Sequence, residues 1–331
     1  MQFHYRLLIL MLVPILSVSC GQKTAGLQES AVSPDKQLFD NGMGFLGNNN
    51  FIKARLAFQT LINTYPDSEY TPVSFLAIAD SYYDEGGTQN LLQSESQYKD
   101  FNVFYPTHEM ADDAQMKVAA INVRLMRAPD RDPTYARKAE LELRKFLEVY
   151  PDSELAPTAM EFLRDVQQNL ATGMHAVGDF YYEKESYLAS ESRYKEILEK
   201  YPEYHQMDLA LFRLGGSLEN LGRVEEASVY YARLVAEYPF SSEADSAEEK
   251  LILLEKPVPI VDTLIASRND ANRKIEEGFS ILSPIRSVVE IFTSSEDIYE
   301  IAKRRAEERR ILEQEQFSTN DAPAGGESQD R

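Results

Sequence analysis

Five times this chain ends an apolar, helix-period run with an aromatic–proline step: Tyr65-Pro66, Tyr105-Pro106, Tyr150-Pro151, Tyr201-Pro202 and Tyr238-Pro239. Proline lacks a backbone N–H and pushes the residue before it out of the α region, so each helix must stop at the tyrosine. Asp67-Ser68-Glu69 and Asp152-Ser153-Glu154 follow two of these steps. Such residues are expected to cap and start the next helix. A stop followed at once by a start, repeated along the chain, predicts stacked helical hairpins.

The internal register agrees. Twenty-four residues before Pro66, Pro202 and Pro239 stand Gly42, Gly178 and Gly215. Twelve residues before them stand Ala54, Ser190 and Ala227, and eight before them Phe58, Tyr194 and Tyr231. Phe45, Tyr181 and Leu218 lie three residues after the glycines. This is the tetratricopeptide pattern, in which small residues let two helices approach and an aromatic fills the space between them. The repeats ending at Pro106 and Pro151 keep the second helix, with Ser94 and Tyr98 or Ala139 and Leu143, and are expected to carry longer loops inside the hairpin. The fold class is therefore all-α: a tetratricopeptide-repeat solenoid of about five helical hairpins with a helical or disordered C-terminal extension.

Residues 1–19 read as a signal peptide. Arg6 supplies the positive start, and Leu7 to Leu16 form an apolar run too short to span a bilayer. The run leads to Cys20, the chain's only cysteine. That ending looks like a bacterial lipoprotein signal, whose cysteine is acylated, although Ser17 stands where a leucine is usual. An ordinary cleaved signal leaving a free thiol is the alternative. Residues 20–34 would be a lipidated flexible tether, 35–155 an N-terminal repeat half, and 156–255 a long linking helix with a C-terminal half. The linking helix follows from spacing: 51 residues separate Pro151 from Pro202, against 37 between Pro202 and Pro239. The excess is close to four helical turns. Residues 157–183 contain no breaker except Gly173 and Gly178, so they read as one helix. Pro257-Val258-Pro259 ends the array. Residues 256–317 are expected to hold helices opening at Ser283-Pro284 and Ser295, and 318–331 to be disordered.

With 54 acidic residues against 34 basic ones, the net charge is −20, which argues against nucleic acid or an anionic membrane face as the main partner. Chemistry is sparse. His4, His108, His175 and His205 have no metal-ligand spacing among themselves or with the cysteine, and no phosphate-cradling or nucleophile motif occurs. No cofactor, metal or catalytic residue is expected. His175, on an otherwise apolar helix, reads as a packed core histidine. The cluster Lys303-Arg304-Arg305 with Arg309-Arg310 reads as a solvated face or as a contact for lipid headgroups or an acidic partner.

One segment departs from the repeat: the stiff, charged run from Arg127 to Arg137 with Pro129 and Pro133. Structurally it needs only to cap the next helix, with Asp132 before Pro133; a restricted charged loop is also a good docking feature. Taken with the lipoprotein signal and the Tyr-Pro-Asp-Ser steps, the loop Asp130, Arg131, Asp132, Pro133, Ala136, Arg137 resembles the BamD, or YfiO, family of outer-membrane-protein assembly lipoproteins. The resemblance covers residues 20 to about 255. It implies a non-enzymatic scaffold of the β-barrel assembly machinery, lipid-anchored to the outer membrane through Cys20 and facing the periplasm. It would bind the periplasmic domains of the barrel-forming protein, with Asp130, Arg131, Asp132 and Arg137 as docking loop, and unfolded outer-membrane proteins as clients. First helices line the inner surface of such arrays, so Phe39, Met43 and Leu46, and then Leu76 and Tyr83, are the candidate client-binding side chains. The alternative for each is packing against the neighbouring hairpin. A repeat lipoprotein coordinating cell-wall enzymes or envelope constriction is the competing function.

Overall fold

A computed structural model describes residues 32–277, with side chains to residue 271. The signal peptide, Cys20, the expected helices beyond residue 283 and the tail 318–331 lie outside the described residues. Within them the chain is helical throughout: α1 Pro34–Gly47, α2 Phe51–Thr64, α3 Thr71–Glu85, α4 Thr88–Phe104, α5 Ala111–Leu125, α6 Thr134–Val149, α7 Ala156–Glu183, α8 Tyr187–Lys200, α9 Met207–Asn220, α10 Val224–Glu237, α11 Ala244–Leu253 and α12 Thr263–Glu277. Successive helices pack on one another, giving five hairpins, α1/α2 to α9/α10, followed by α11.

Every Tyr-Pro step has the same backbone. The tyrosine N–H closes the last helical turn, donating to the carbonyl four residues back at 2.8 Å, and its φ turns to about −130°. Its carbonyl then accepts the N–H three residues on, from Ser68, His108, Ser153, Tyr204 or Ser241. The carbonyl of that residue accepts from the first residue of the next helix: Thr71, Ala111, Ala156, Met207 or Ala244. Asp67, Ser68 and Glu69 therefore build a turn, and do not cap the helix as expected. The cause is the tyrosine's non-helical backbone, whose ψ of 49–62° turns the chain away so that one turn of chain is needed before helical geometry resumes. Ser68 Oγ instead accepts from the Tyr70 N–H and donates to Asp35 Oδ2 at 2.6 Å. Ser153 does the same with Leu155 and Asp112. These bonds tie the start of a hairpin's first helix to the turn after its second.

The wedge between paired helices is as the register requires. Phe58, Tyr98, Leu143, Tyr194 and Tyr231 are all buried. A Cβ built on Gly42, Gly178 or Gly215 would stand 2.5, 2.9 or 2.6 Å from the ring of Phe58, Tyr194 or Tyr231. The second hairpin corrects the expected long loop. Only Gly86 and Gly87, both with positive φ, join α3 to α4, and the extra length goes into α4. The third hairpin does carry a longer loop, 126–133.

A buried tyrosine hydroxyl needs a partner. Tyr98 donates to Asp80, Tyr194 to Asp179 (2.7 Å) and Tyr231 to Glu219 (2.9 Å), each carboxylate lying on the hairpin's own first helix. The next hairpin, or α11 at the end, then neutralises that carboxylate: Lys117 at 2.7 Å from Asp80, Arg213 at 3.3 Å from Asp179, Lys250 at 3.0 Å from Glu219. Burial, followed by the neighbouring carboxylate, pushes all three hydroxyls well above the usual tyrosine range, so they remain donors. The apolar core runs unbroken from α5 and α6 through the long α7 to α11.

α12 was not legible as a separate helix. Asp262 caps it, Oδ1 accepting from the Leu264 and Ile265 N–H groups, and Asn269 donates to the Glu237 carbonyl, which returns the chain onto α10.

The wedge predicts a paired result. Gly42→Ala should cost about 1–3 kcal/mol by overpacking against Phe58. Gly44→Ala, with no atom within 4 Å of the new Cβ, should instead be neutral or stabilise by up to about 1 kcal/mol through helix propensity. Urea unfolding of both variants decides it; equal midpoints would show that no close approach exists at Gly42.

Candidate functional site

The charged loop does not float. Its turn is closed by the Arg131 N–H donating to the Ala128 carbonyl at 2.9 Å. Asp132 Oδ1 accepts from the Thr134 N–H at 3.0 Å and its hydroxyl at 2.7 Å, bonds that hold this exposed carboxyl below its ordinary range and fix the start of α6. On the other side the loop is seated on the long helix. Asn169 Nδ2 of α7 donates to the Arg127 carbonyl at 3.1 Å. One turn on, Gly173 leaves room for the Pro129 carbonyl, whose oxygen would be 2.5 Å from a Cβ at that position. The proline shapes the loop, and the glycine supplies its seat.

Loop, α7, α6 and α8 enclose a groove of about 510 Å³. Leu170, Met174, Val177, Phe180 and Tyr181 form its apolar side, with Val177 and Phe180 exposed on a face that otherwise packs. Arg131, Arg137 and Arg193 rim it, with Asp130 and Glu196. Arg131 lies 3.5 Å from Asp130, and Arg193 3.1 Å from Glu196. The Glu196 carboxyl is held below its ordinary range by a hydrogen bond from Lys200, with Arg193 adding to it. Exposed Arg137 has no ion pair among the described residues. In a chain of net charge −20, this groove gathers three arginines around apolar surface.

Of the expected site residues, Asp130, Arg131 and Arg137 line this groove, while Asp132 serves the helix start. The inner-face residues fare differently. Phe39, Leu46, Leu76 and Tyr83 are buried, and Met43 is half-buried against the first core. Phe39 stacks on Tyr70 with ring centroids 5.1 Å apart, and the Arg124 guanidinium lies 4.5 Å from the Tyr83 ring centre. Phe39 thus packs on Phe58 of its own hairpin as well as on Tyr70, and Tyr83 meets Arg124 of the next hairpin, so burial favours the packing reading for Phe39, Leu46, Leu76 and Tyr83. Among the aromatics left partly accessible in the first two hairpins are Phe45, with Lys53 above it at 5.7 Å, and Tyr82, with Arg55 at 4.2 Å; Phe104, at the end of α4, is more exposed. Sequence reasoning missed Arg193, which is 56 residues from Arg137 and has no motif of its own, and the seat at Gly173, which it read only as one of two breakers in the long helix.

A smaller cavity of about 200 Å³ lies where α12 faces the turns around Tyr204 and Phe240. Among the described residues no His, Cys, Asp and Glu group could hold a metal ion, and no helix is long and apolar enough to cross a membrane.

The seat makes a prediction. Gly173→Ala should push the Pro129 carbonyl off α7, at a cost of about 1–3 kcal/mol. Trypsin cleavage after Arg127 and Arg131 under native conditions should then accelerate several-fold by mass spectrometry. An unchanged rate would mean that α7 does not hold the loop.

The chain is similar to known proteins over much of its length. A family model described as YfiO, outer membrane lipoprotein, matches residues 32–229. The outer membrane protein assembly factor BamD of Vibrio cholerae is 25% identical over 183 residues, 51% of this chain and 73% of that protein. BamD of Rickettsia prowazekii is 24% identical over 227 residues, 67% of this chain and 87% of that one. BamD of Caulobacter vibrioides is 26% identical over 206 residues, 62% and 67% of the two chains. Likeness to solved structures is looser: a tetratricopeptide repeat protein from Parabacteroides merdae covers 78% of this chain and 99% of its own at 9% identity, with a TM-score of 0.29. With the matched segment running from the first hairpin through the charged loop and the long helix into the fifth hairpin, the chain belongs to the YfiO family of outer membrane lipoproteins.

Proposed function

We propose that this protein is a scaffold of outer-membrane-protein assembly, anchored by lipid on Cys20 to the periplasmic face of the outer membrane. The names of its relatives support an assembly role. The observation that carries the finer reading is the groove between the seated loop and α7, which presents apolar surface and arginines together. That groove would hold the periplasmic domain of the barrel-forming partner. The N-terminal hairpins would take client peptides along the accessible edges around Phe45, Met43 and Tyr82. An outer-membrane strand alternates apolar and polar residues, which suits aromatic edges flanked by cations. A helical array with a one-dimensional core offers such extended surfaces without catalytic groups.

Arg137→Glu with Arg193→Glu should reduce co-purification of the barrel-forming protein from solubilised envelopes at least tenfold, equivalent to about 1.4 kcal/mol or more. Lys145→Glu, on the exposed face of α6, should not. Retention of that partner by the double variant, or capture of cell-wall enzymes in its place, would favour the competing reading. Intact mass of the same wild-type preparation should show acyl chains on Cys20; an unmodified cysteine removes the anchor. Photo-crosslinkers at Phe45 and Tyr82 should capture a C-terminal outer-membrane-protein peptide, and one at Leu221 should not. Equal capture at all three positions would refute client selection by the N-terminal half.

A further inference from the structure

His175 lies in the middle of α7 between the loop's seat and the fourth wedge, 3% exposed, and neither of its ring nitrogens makes a hydrogen bond. Buried polar groups are nearly always paired, so an orphaned imidazole calls for a reason. Its surroundings are specific. The rings of Tyr194 and Tyr204 stand edge-on to it, with centroids at 5.4 and 5.7 Å. Nε2 is 3.5 Å from Asp179 Oδ2, one turn further along the same helix. The other carboxylate oxygen of Asp179 is already engaged, accepting from the Tyr194 hydroxyl at 2.7 Å and facing Arg213 Nε at 3.3 Å. The charged and titratable groups around the imidazole are thus Asp179 on α7, Tyr194 on α8, Tyr204 and His205 in the turn, and Asp208 and Arg213 on α9.

We propose that His175 is a proton-operated joint between the fourth and fifth hairpins. When Nε2 takes a proton from solvent, the imidazolium donates to Asp179 Oδ2. It thereby competes with Arg213 of α9 for the Asp179 carboxylate of α7. Two cations then face a single carboxylate, and Arg213, part-exposed at the interface between hairpins, is the one free to withdraw towards solvent. The consequence is local: α9 loosens on α7, one turn from Gly173 and Met174. The inference stands on this cluster and is independent of what the groove binds.

The direction with pH follows. Burial, reinforced by Arg213 and opposed by Asp179, holds His175 below the ordinary histidine value of 6.5. The folded chain therefore keeps it neutral where the unfolded chain is already protonated. Stability contributed by the neutral imidazole is complete well above pH 6.5, and declines as pH falls below 6.5 towards the folded value.

The test uses the full mature chain in detergent between pH 7.5 and 5.5. Hydrogen exchange of the α9 amides Met207–Asn220, corrected for intrinsic rates, should speed several-fold on acidification while α3 and α4 stay protected. His175→Gln and His175→Leu should abolish that response, and His205→Gln should keep it. Imidazole nitrogen shifts of the wild-type protein supply a readout that needs no variant to fold. Titration of His175 in step with the loss of α9 protection supports the joint. A His175 that stays neutral throughout, acid-independent exchange in α9, or an undiminished response in both His175 variants overturns it.

Discussion

The array depends on one contact repeated with variations: an aromatic ring from a hairpin's second helix driven into the space a glycine leaves on its first. At Gly42, Gly178 and Gly215 the ring atoms stand within 3 Å of where a Cβ would be, so the two helices approach closely at the wedge. Truncating such a ring typically costs about 3–5 kcal/mol, a large share of what a domain has to lose. A hairpin without its wedge would have two amphipathic helices and no reason to keep one separation between them.

Using tyrosine for the wedge brings a second consequence. Its hydroxyl reaches the far side of the hairpin and must be satisfied there, and in three hairpins a carboxylate on the first helix does so. A carboxylate in that position is itself costly unless neutralised, and the cation comes from the next helix pair in the stack. The wedge that sets spacing within a hairpin thus also links it to its successor. The Asp80–Lys117 pair is the most enclosed of these, with both side chains more than nine-tenths buried. Removing one member of such a pair typically costs about 3–5 kcal/mol, because the other charge is left stranded. Arg213 and Lys250 are part-exposed, and solvent screening makes their pairs weaker. The first hairpin, wedged by Phe58, has no hydroxyl to satisfy. There Arg55 reaches the second hairpin directly, at 2.8 Å from Glu85.

The long helix is where the regular stack is used for something else. Its first turns pack on α6 as a repeat helix should, and its last turns carry the Gly178 wedge of the fourth hairpin. The surplus turns in between have no partner helix of their own repeat. They receive the loop after α5 instead, and leave Val177 and Phe180 beside three arginines. The rigid helix fixes the loop's carbonyls, at Arg127 through Asn169 and at Pro129 through the space Gly173 leaves.

The stop of each helix at its Tyr-Pro step, the wedge positions and the length of α7 were determined by the sequence alone; where the next helix starts and how α3 joins α4 were not. The first three are local matters: proline stops a helix wherever it stands, and periodicity states which face is apolar. What the tertiary structure decided is which apolar face meets another helix and which meets solvent. Phe39, Leu76 and Val177 are alike in one dimension, yet the first two are buried and the third is open, because the superhelical register places a neighbour over some faces and none over others. The same limit hid the seat at Gly173, the company of Arg193 and Arg137, and the cations that answer Asp80 and Glu219 from 37 and 31 residues away. Those pairings depend on how one hairpin rotates on the next, a quantity set by the sum of many packing contacts that no short motif records.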